Sequence, residues 1–538
     1  MSRTPVTVSG TGSRPEAVGQ PSGRRGARPG AVATVIIVAT LIGIGLRLYQ
    51  LSRPGYLLGI TEYDDGTDFG SAVRLIHGSL PYRDFIMVQP PGITLLMAPV
   101  ALATKTMGTV SGMAVARVLT ALASAAAVPL GGLLTRHRGL LAVLLTCGIL
   151  AVYPDSLQAA RTVLLEPWLV LFCLLGALAA FDGDRLAGGR RLVWAGLAFG
   201  FAGAVKVWAI LPVLVILALA ARRPRQAGGF AAGVAVGFLV PVLPFALLAP
   251  GTFYRSVIVA QLVRSDVTRV PVATRLQNML GLTHLHPLDT PLLVVIAVAV
   301  VVIVTALMVL GARLAHRPPP PLDWFAALSC VVIIIAFLWP ADFYYHYAAF
   351  LTPFLALALA LPLARVVASL PGSGRRARAG LLMRRGVTVA AAVVLATLVG
   401  LQTGSESLLS AAVPASEISA VEHTIPPGAC VLTDQVSYTI GINRFVSDVP
   451  GCSVMVDGVG SDYALSNGRN GLTGAGNAPA VERLWMSAFQ SAQFVWLTSQ
   501  STRRIPWTPR LRAYFLANFV PLTEGPDWLY ARRAGIPG

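Results

Sequence analysis

Between about Ala31 and Gln402, stretches of sixteen or more apolar, nearly uncharged residues recur, separated by short arginine-bearing loops. A hydrocarbon core of about 30 Å takes roughly 20 such residues as a helix. The pattern therefore predicts a polytopic α-helical membrane protein. Its spans fall at about 31–49, 112–134, 139–153, 163–181, 192–204, 207–221, 227–249, 290–312, 324–340, 347–365 and 387–403, about eleven transmembrane helices. The two spans around Lys206 are short enough that their division is the least defined. The stretch 91–104 is apolar but short and bounded by proline, and reads as an interfacial or re-entrant helix. A full crossing there would invert every later loop. From Gly404 onward polar residues rise and turn signals appear. ACVLTD (429–434), CSVMVD (452–457) and AQFVWLTS (492–499) read as strands, and 480–492 and 509–519 as helices. The chain thus divides into a tail (1–30), a membrane region (31–403) whose first external loop is 50–111, and a small mixed α/β C-terminal domain (404–538).

Charge orients this arrangement. Only 12% of residues are charged and the net charge is +18. Arginines gather at Arg136 and Arg138, Arg185 to Arg191, Arg222 to Arg225, Arg313 and Arg317, and Arg375 to Arg385. Every second loop is basic, as cytoplasmic loops are under the positive-inside rule. The tail, rich in Gly, Pro, Ser and Arg, is expected to be disordered and cytoplasmic. The C-terminal domain is then extracytoplasmic, on a multi-pass plasma-membrane protein. The basic residues form no aromatic-interleaved stripe, which argues against nucleic acid as a partner. The segment Ala31 to Tyr49 is followed by no A-x-A-like cleavage site and reads as a retained first helix. Cys147, Cys173 and Cys330 lie within spans and read as packing residues. Cys430 and Cys452 can pair as a disulfide if their region is exported.

The first external loop is the chemically informative one. Glu62, Asp64, Asp65, Asp68 and Asp84 gather beside the membrane in a chain with 24 acidic residues. Carboxylates near hydrocarbon are costly, and an Asp held at the surface can serve as general base toward an acceptor hydroxyl or amine. The alternative is an exposed loop turning at Asp-Asp-Gly. In the second external loop, Arg161 and Glu166 stand five apart at the mouth of a helix, and Asp155 reads as a helix cap. Glu166 is a candidate for orienting an acceptor or binding a divalent cation, which takes oxygen ligands; alternatively it pairs with Arg161. No other cofactor is indicated. Lys206 is one of two lysines against forty arginines and sits among apolar residues. It either meets a phosphate as a point charge or snorkels to water. Arg255, Arg264, Arg269 and Arg275 run against the positive-inside trend in the third external loop, beside His284 and His286. Asp342, Tyr344, Tyr345, His346 and Tyr347 lie at the outer interface, where aromatics ordinarily form a belt.

The first external loop also resembles a known family. Asp64-Asp65, then Ala72 to Leu75 and Gly78, Pro81-Tyr82-Arg83-Asp84 and Pro90-Pro91 look like the GT-C membrane glycosyltransferases. The similarity points toward the protein O-mannosyltransferase, aminoarabinose transferase and Rgt-like branch. That family usually has Asp-Glu at the tandem pair, so the Asp-Asp here leaves open which residue is the base. The motif covers about forty residues, and the likeness in topology extends over about 30–403. The resemblance implies a polyprenyl-phosphate sugar as donor and an envelope glycan, lipid or protein as acceptor. It implies catalytic roles for Asp64 or Asp65 in an inverting displacement. Contacts to donor phosphate or substrate would come from Arg83, Arg161, Glu166, Lys206, Arg264, Tyr345 and His346. Three other classes share the polytopic pattern. A transporter or flippase would place charge at the midplane and often shows repeats, and none is visible here. A glycan polymerase or ligase would prefer a large central external loop. A non-catalytic scaffold would tolerate Asn at both Asp64 and Asp65.

Overall fold

The computed structural model describes residues 29–263, 269–283, 285, 287–370, 377–409, 413, 415–466, 475–522 and 528–533. Each of the eleven apolar segments lies on a helix. These are Pro29–Leu51, the second arm of Gly92–Thr135, Leu140–Val152, Leu165–Ala180, Arg190–Val205, Ile210–Ala220, Pro224–Leu248, Thr290–Ala315, Pro321–Leu338, Ala348–Ala368 and Ala377–Ser407. By length and composition, seven described helices can cross a membrane, or eight if Leu140–Val152 and Pro154–Ala160, bent by 50°, form one span. The segment 91–104 is a separate arm of Gly92–Thr135, set off from the rest by a break at Gly108, whose φ of 81° no helix contains. Asp155 is not a cap: it lies inside the first turn of Pro154–Ala160, buried, and Tyr153 holds the cap position.

Small residues let two helices touch backbone to backbone. A side chain at Gly196 or Gly200 would strike the carbonyls of Phe230 and Val234, and one at Gly233 or Gly237 those of Val193 and Leu197, at 2.2–2.3 Å. This small-xxx-small seam holds Arg190–Val205 against Pro224–Leu248, since van der Waals contact drives helix association in lipid. It fixes the helix whose end presents Lys206.

The loops sort to two ends of the bundle. At one, the short hairpin of β1 (Phe181–Asp182) and β2 (Arg185–Leu186) is tied to its neighbours by charge. Arg138 donates to Asp184 (2.6 Å) and Asp323 (2.7 Å), and Arg365 donates to the Arg317 carbonyl (2.6 Å). The acidic helix Asp64–Ile76 lies at the other end. Its two N-terminal carboxylates complement the helix dipole.

The C-terminal region forms a four-stranded mixed sheet from β3 (Val431–Thr433), β4 (Phe494–Trp496), β5 (Phe519–Pro521) and β6 (Leu529–Arg532), in the order β3-β4-β6-β5. β3 and β4 run parallel and the other pairs antiparallel. Helices Pro479–Ser491 and Pro509–Asn518 fall close to the expected ranges. The strand expected at 452–457 is irregular chain. Val456 packs into the cluster of Phe69, Val436 and Phe445, and Asp457 accepts from the Gly460 amide, so the segment serves the site and not a ladder. The sheet region docks onto the acidic helix where Gly66 leaves room: a Cβ there would sit 2.3 Å from the Ser437 nitrogen. Cys430 and Cys452 form a disulfide. Closing a loop with a sequence separation of 22 stabilises by about 3 kcal/mol on chain entropy. The Cys430→Ser/Cys452→Ser variant should therefore unfold its C-terminal region at lower denaturant, read by limited proteolysis, with the membrane helices still protected.

Candidate active site

A cavity of about 340 Å³ opens between the helix ends and the docked sheet region. Its walls come from residues 61–64, 67 and 68, from Val88 and Gln89, from residues 164–166 at the start of Leu165–Ala180, from the break at Lys206, and from the turn 344–347. The sheet region adds Gln435, Asp457 and Arg504.

One charged chain crosses the floor. The backbone turns extended at Lys206, ending Arg190–Val205, and so aims a buried ammonium at the cavity beside a helix C-terminus. Lys206 Nζ donates to Glu166 Oε1 at 2.5 Å and lies 3.9 Å from the centre of the Trp208 ring and 4.4 Å from that of Tyr347. The other Glu166 oxygen stands 2.9 Å from His346 Nδ1, and His346 Nε2 lies 3.5 Å from Asp64 Oδ2. Glu166 therefore neutralises the lysine and holds an imidazole whose far nitrogen reaches Asp64. The Asp64 side chain is 48% exposed, whereas the other three members are buried. The chain thus ends on a carboxylate that an incoming molecule can touch.

Asp65, expected to share the catalytic role, does not line the cavity. It is fully buried, and one oxygen accepts from Arg117 Nη2 (2.7 Å), Thr162 Oγ1 (2.6 Å) and Thr61 Oγ1 (3.1 Å). Arg117 also donates to the carbonyls of Tyr56, Leu57 and Gly59. The pair pins the approach of the chain to the acidic helix. Adjacent residues on a helix point about 100° apart, which is why one Asp faces solvent and the other the interior.

The remaining candidates divide. Lys206, Glu166, Tyr345 and His346 line the cavity. Arg161 does not, and it pairs with Glu62 (3.0 Å) instead of Glu166. Tyr345 donates to the same Glu62 oxygen at 2.6 Å, so Arg161 and Tyr345 together fix Glu62 in the wall. Arg83 is also away from the cavity: it is half exposed and forks onto Asp84, which caps the Leu80 amide. Its motif is a turn, with Tyr82 at φ 67°. Arg264, His284 and His286 lie outside the described residues. Glu166, the cation candidate, is occupied by Lys206 and His346, and among the described residues no three His, Cys, Asp or Glu side chains gather as a metal-ligand set.

The sheet region closes the roof. Tyr63 donates to Asp457 Oδ1 (3.0 Å), Gln435 Nε2 to the Glu62 carbonyl (2.7 Å), and Arg504 Nη1 to Gln435 Oε1 (2.7 Å). The Arg504 guanidinium also lies over the Tyr63 ring at 5.1 Å.

Comparison with known proteins bears on the fold. Residues 88–340 match the model of Glycosyltransferase family 87. The fold is similar to that of ArnT from Cupriavidus metallidurans bound to undecaprenyl phosphate, with a TM-score of 0.59, 17% identity, and coverage of 95% of this chain and 100% of that one. The apo form of that protein gives 0.56 at 16% identity, over 93% and 97% of the two chains. The apo oligosaccharyltransferase of Archaeoglobus fulgidus gives 0.51 at 14%, over 86% and 69%. No curated protein matches. The chain has the fold of the GT-C superfamily of membrane glycosyltransferases, the class its first external loop resembles.

Proposed function

We propose that this protein transfers a sugar from a polyprenyl-phosphate donor to an envelope glycan, lipid or protein on the outer face of the plasma membrane. The observation that carries this reading is a single cavity holding both a reachable carboxylate, Asp64, and a buried ammonium, Lys206. The matched transferase family and a similar structure that binds undecaprenyl phosphate support it. In this reading eleven helices cross the bilayer, the arginine-rich end faces the cytoplasm and the cavity faces out.

Asp64 accepts the proton of an acceptor hydroxyl or amine as that atom attacks the anomeric carbon. The bond from that carbon to the phosphate oxygen breaks, and the polyprenyl phosphate leaves with the electron pair. Lys206 faces the anionic leaving group, where a fixed positive charge lowers the barrier. His346 and Glu166 position both ends: Glu166 holds the imidazole and compensates the lysine until donor phosphate shares it. Attack from the side opposite the leaving group inverts the anomeric centre.

The test is incorporation of radiolabelled sugar from polyprenyl-phosphate sugars into membrane glycans, wild type against Asp64→Asn. Incorporation by the wild type and about 10³-fold less by the variant is expected. Wild-type silence across a donor panel would sink the reading. In the same assay Lys206→Met should reduce transfer about 100-fold, with the acceptor KM little changed.

A further inference from the structure

We infer that Asp68, which the mechanism above does not use, reads a hydroxyl of the transferred sugar as an uncharged hydrogen-bonding group; this rests on the transferase reading. Asp68 lies four residues after Asp64, so both side chains fall on the same face of the acidic helix. Both line the cavity. Their surroundings differ. Asp64 is half exposed and lies near His346. Asp68 is 3% exposed, makes no ion pair among the described residues, and its Oδ2 is enclosed without a hydrogen-bond partner.

A buried carboxylate without donors is costly, and such a group neutralises itself by keeping its proton. Burial holds the Asp68 carboxyl well above the usual range, and the negative charges of Asp64, Glu166 and Asp457 push the same way. Lys206 acts in the opposite sense but is committed to Glu166. A protonated carboxyl both donates and accepts, as does a sugar hydroxyl. A second base would need to be ionised, and a phosphate ligand would need to be cationic. The wall at Asp68 therefore suits a neutral, hydroxylated part of the substrate.

The experiment compares Asp68→Asn and Asp68→Ala, using undecaprenyl-phosphate hexoses and their singly deoxygenated analogues as probes. The amide of Asn also donates and accepts, so Asp68→Asn should retain activity within about fivefold. Asp68→Ala should lose about 10- to 100-fold in kcat/KM for the donor, while folding normally because it removes an unpartnered polar group. One deoxy donor should be poor for the wild type and lose that handicap in Asp68→Ala, a coupling that a merely structural role would not produce. The infrared difference between wild type and Asp68→Asn should show a carboxylic-acid carbonyl band at neutral pH. A carboxylate band, or loss of activity in Asp68→Asn as complete as in Asp64→Asn, overturns the inference while leaving the transferase reading intact. A wild type inactive with every donor removes both.

Discussion

Asp64→Asn should lower sugar transfer by about 10³-fold, within the range for loss of a positioned general base, while thermal stability stays within about 0.5 kcal/mol. The stability half follows from exposure. Asp64 is 48% exposed, and its buried neighbour His346 is also held by Glu166 at its other nitrogen. Asn keeps the shape and the helix N-terminal position but cannot take a proton. The kinetic half follows because the other carboxylates lining the cavity are each held by a partner or enclosed. Glu166 is buried against Lys206 and His346, Glu62 is held by Arg161 and Tyr345, and Asp457 accepts from Tyr63. The measurement is the initial rate of sugar transfer by purified enzyme, normalised to the monodisperse fraction. A rate within threefold of wild type would move the base elsewhere, with Glu62 next in line.

The membrane helices were legible because hydrocarbon leaves a chain so few options. Each apolar segment became a helix, and the arginine-rich loops fell at one end. The acidic loop was legible for the same reason, since carboxylates beside lipid are costly. Which of the tandem aspartates faces the cavity was not. A helix start at Asp64 gives one orientation and a start one residue later rotates it by about 100°, and no spacing fixes that choice. Arg117 did leave a signal that went unread: an arginine inside an apolar span needs a partner, and Asp65 is that partner. Gln435, Asp457 and Arg504 left none. They reach the cavity through a sheet whose docking depends on a close approach at Gly66, hundreds of residues from the partners they meet. The strand expected at 452–457 failed for a related reason. Its alternating valines pack against the site, and β6, at the end of the chain, took the place beside β4.

The largest stability effect should come from the pair the sequence motif hides. Arg117 and Asp65 are both buried, 2.7 Å apart. Removing one partner leaves a buried charge uncompensated, which costs about 3–5 kcal/mol. Asp65→Asn is expected near the lower figure, since the amide still accepts from Thr162 and Arg117. Arg117→Met should cost more, because it also strips donors from the carbonyls of Tyr56, Leu57 and Gly59. In the double variant Asp65→Asn/Arg117→Met neither charge of the pair is left buried, so it should be more stable than Arg117→Met alone. That recovery is the coupling a double-mutant cycle reads. Thermal unfolding of the detergent-purified proteins measures it, and strictly additive losses would mean the pair carries no mutual stabilisation. Activity per folded molecule separates this role from catalysis. Asp65→Asn should transfer sugar at near the wild-type rate once corrected for the folded fraction, whereas a rate as low as that of Asp64→Asn would return Asp65 to the reacting centre.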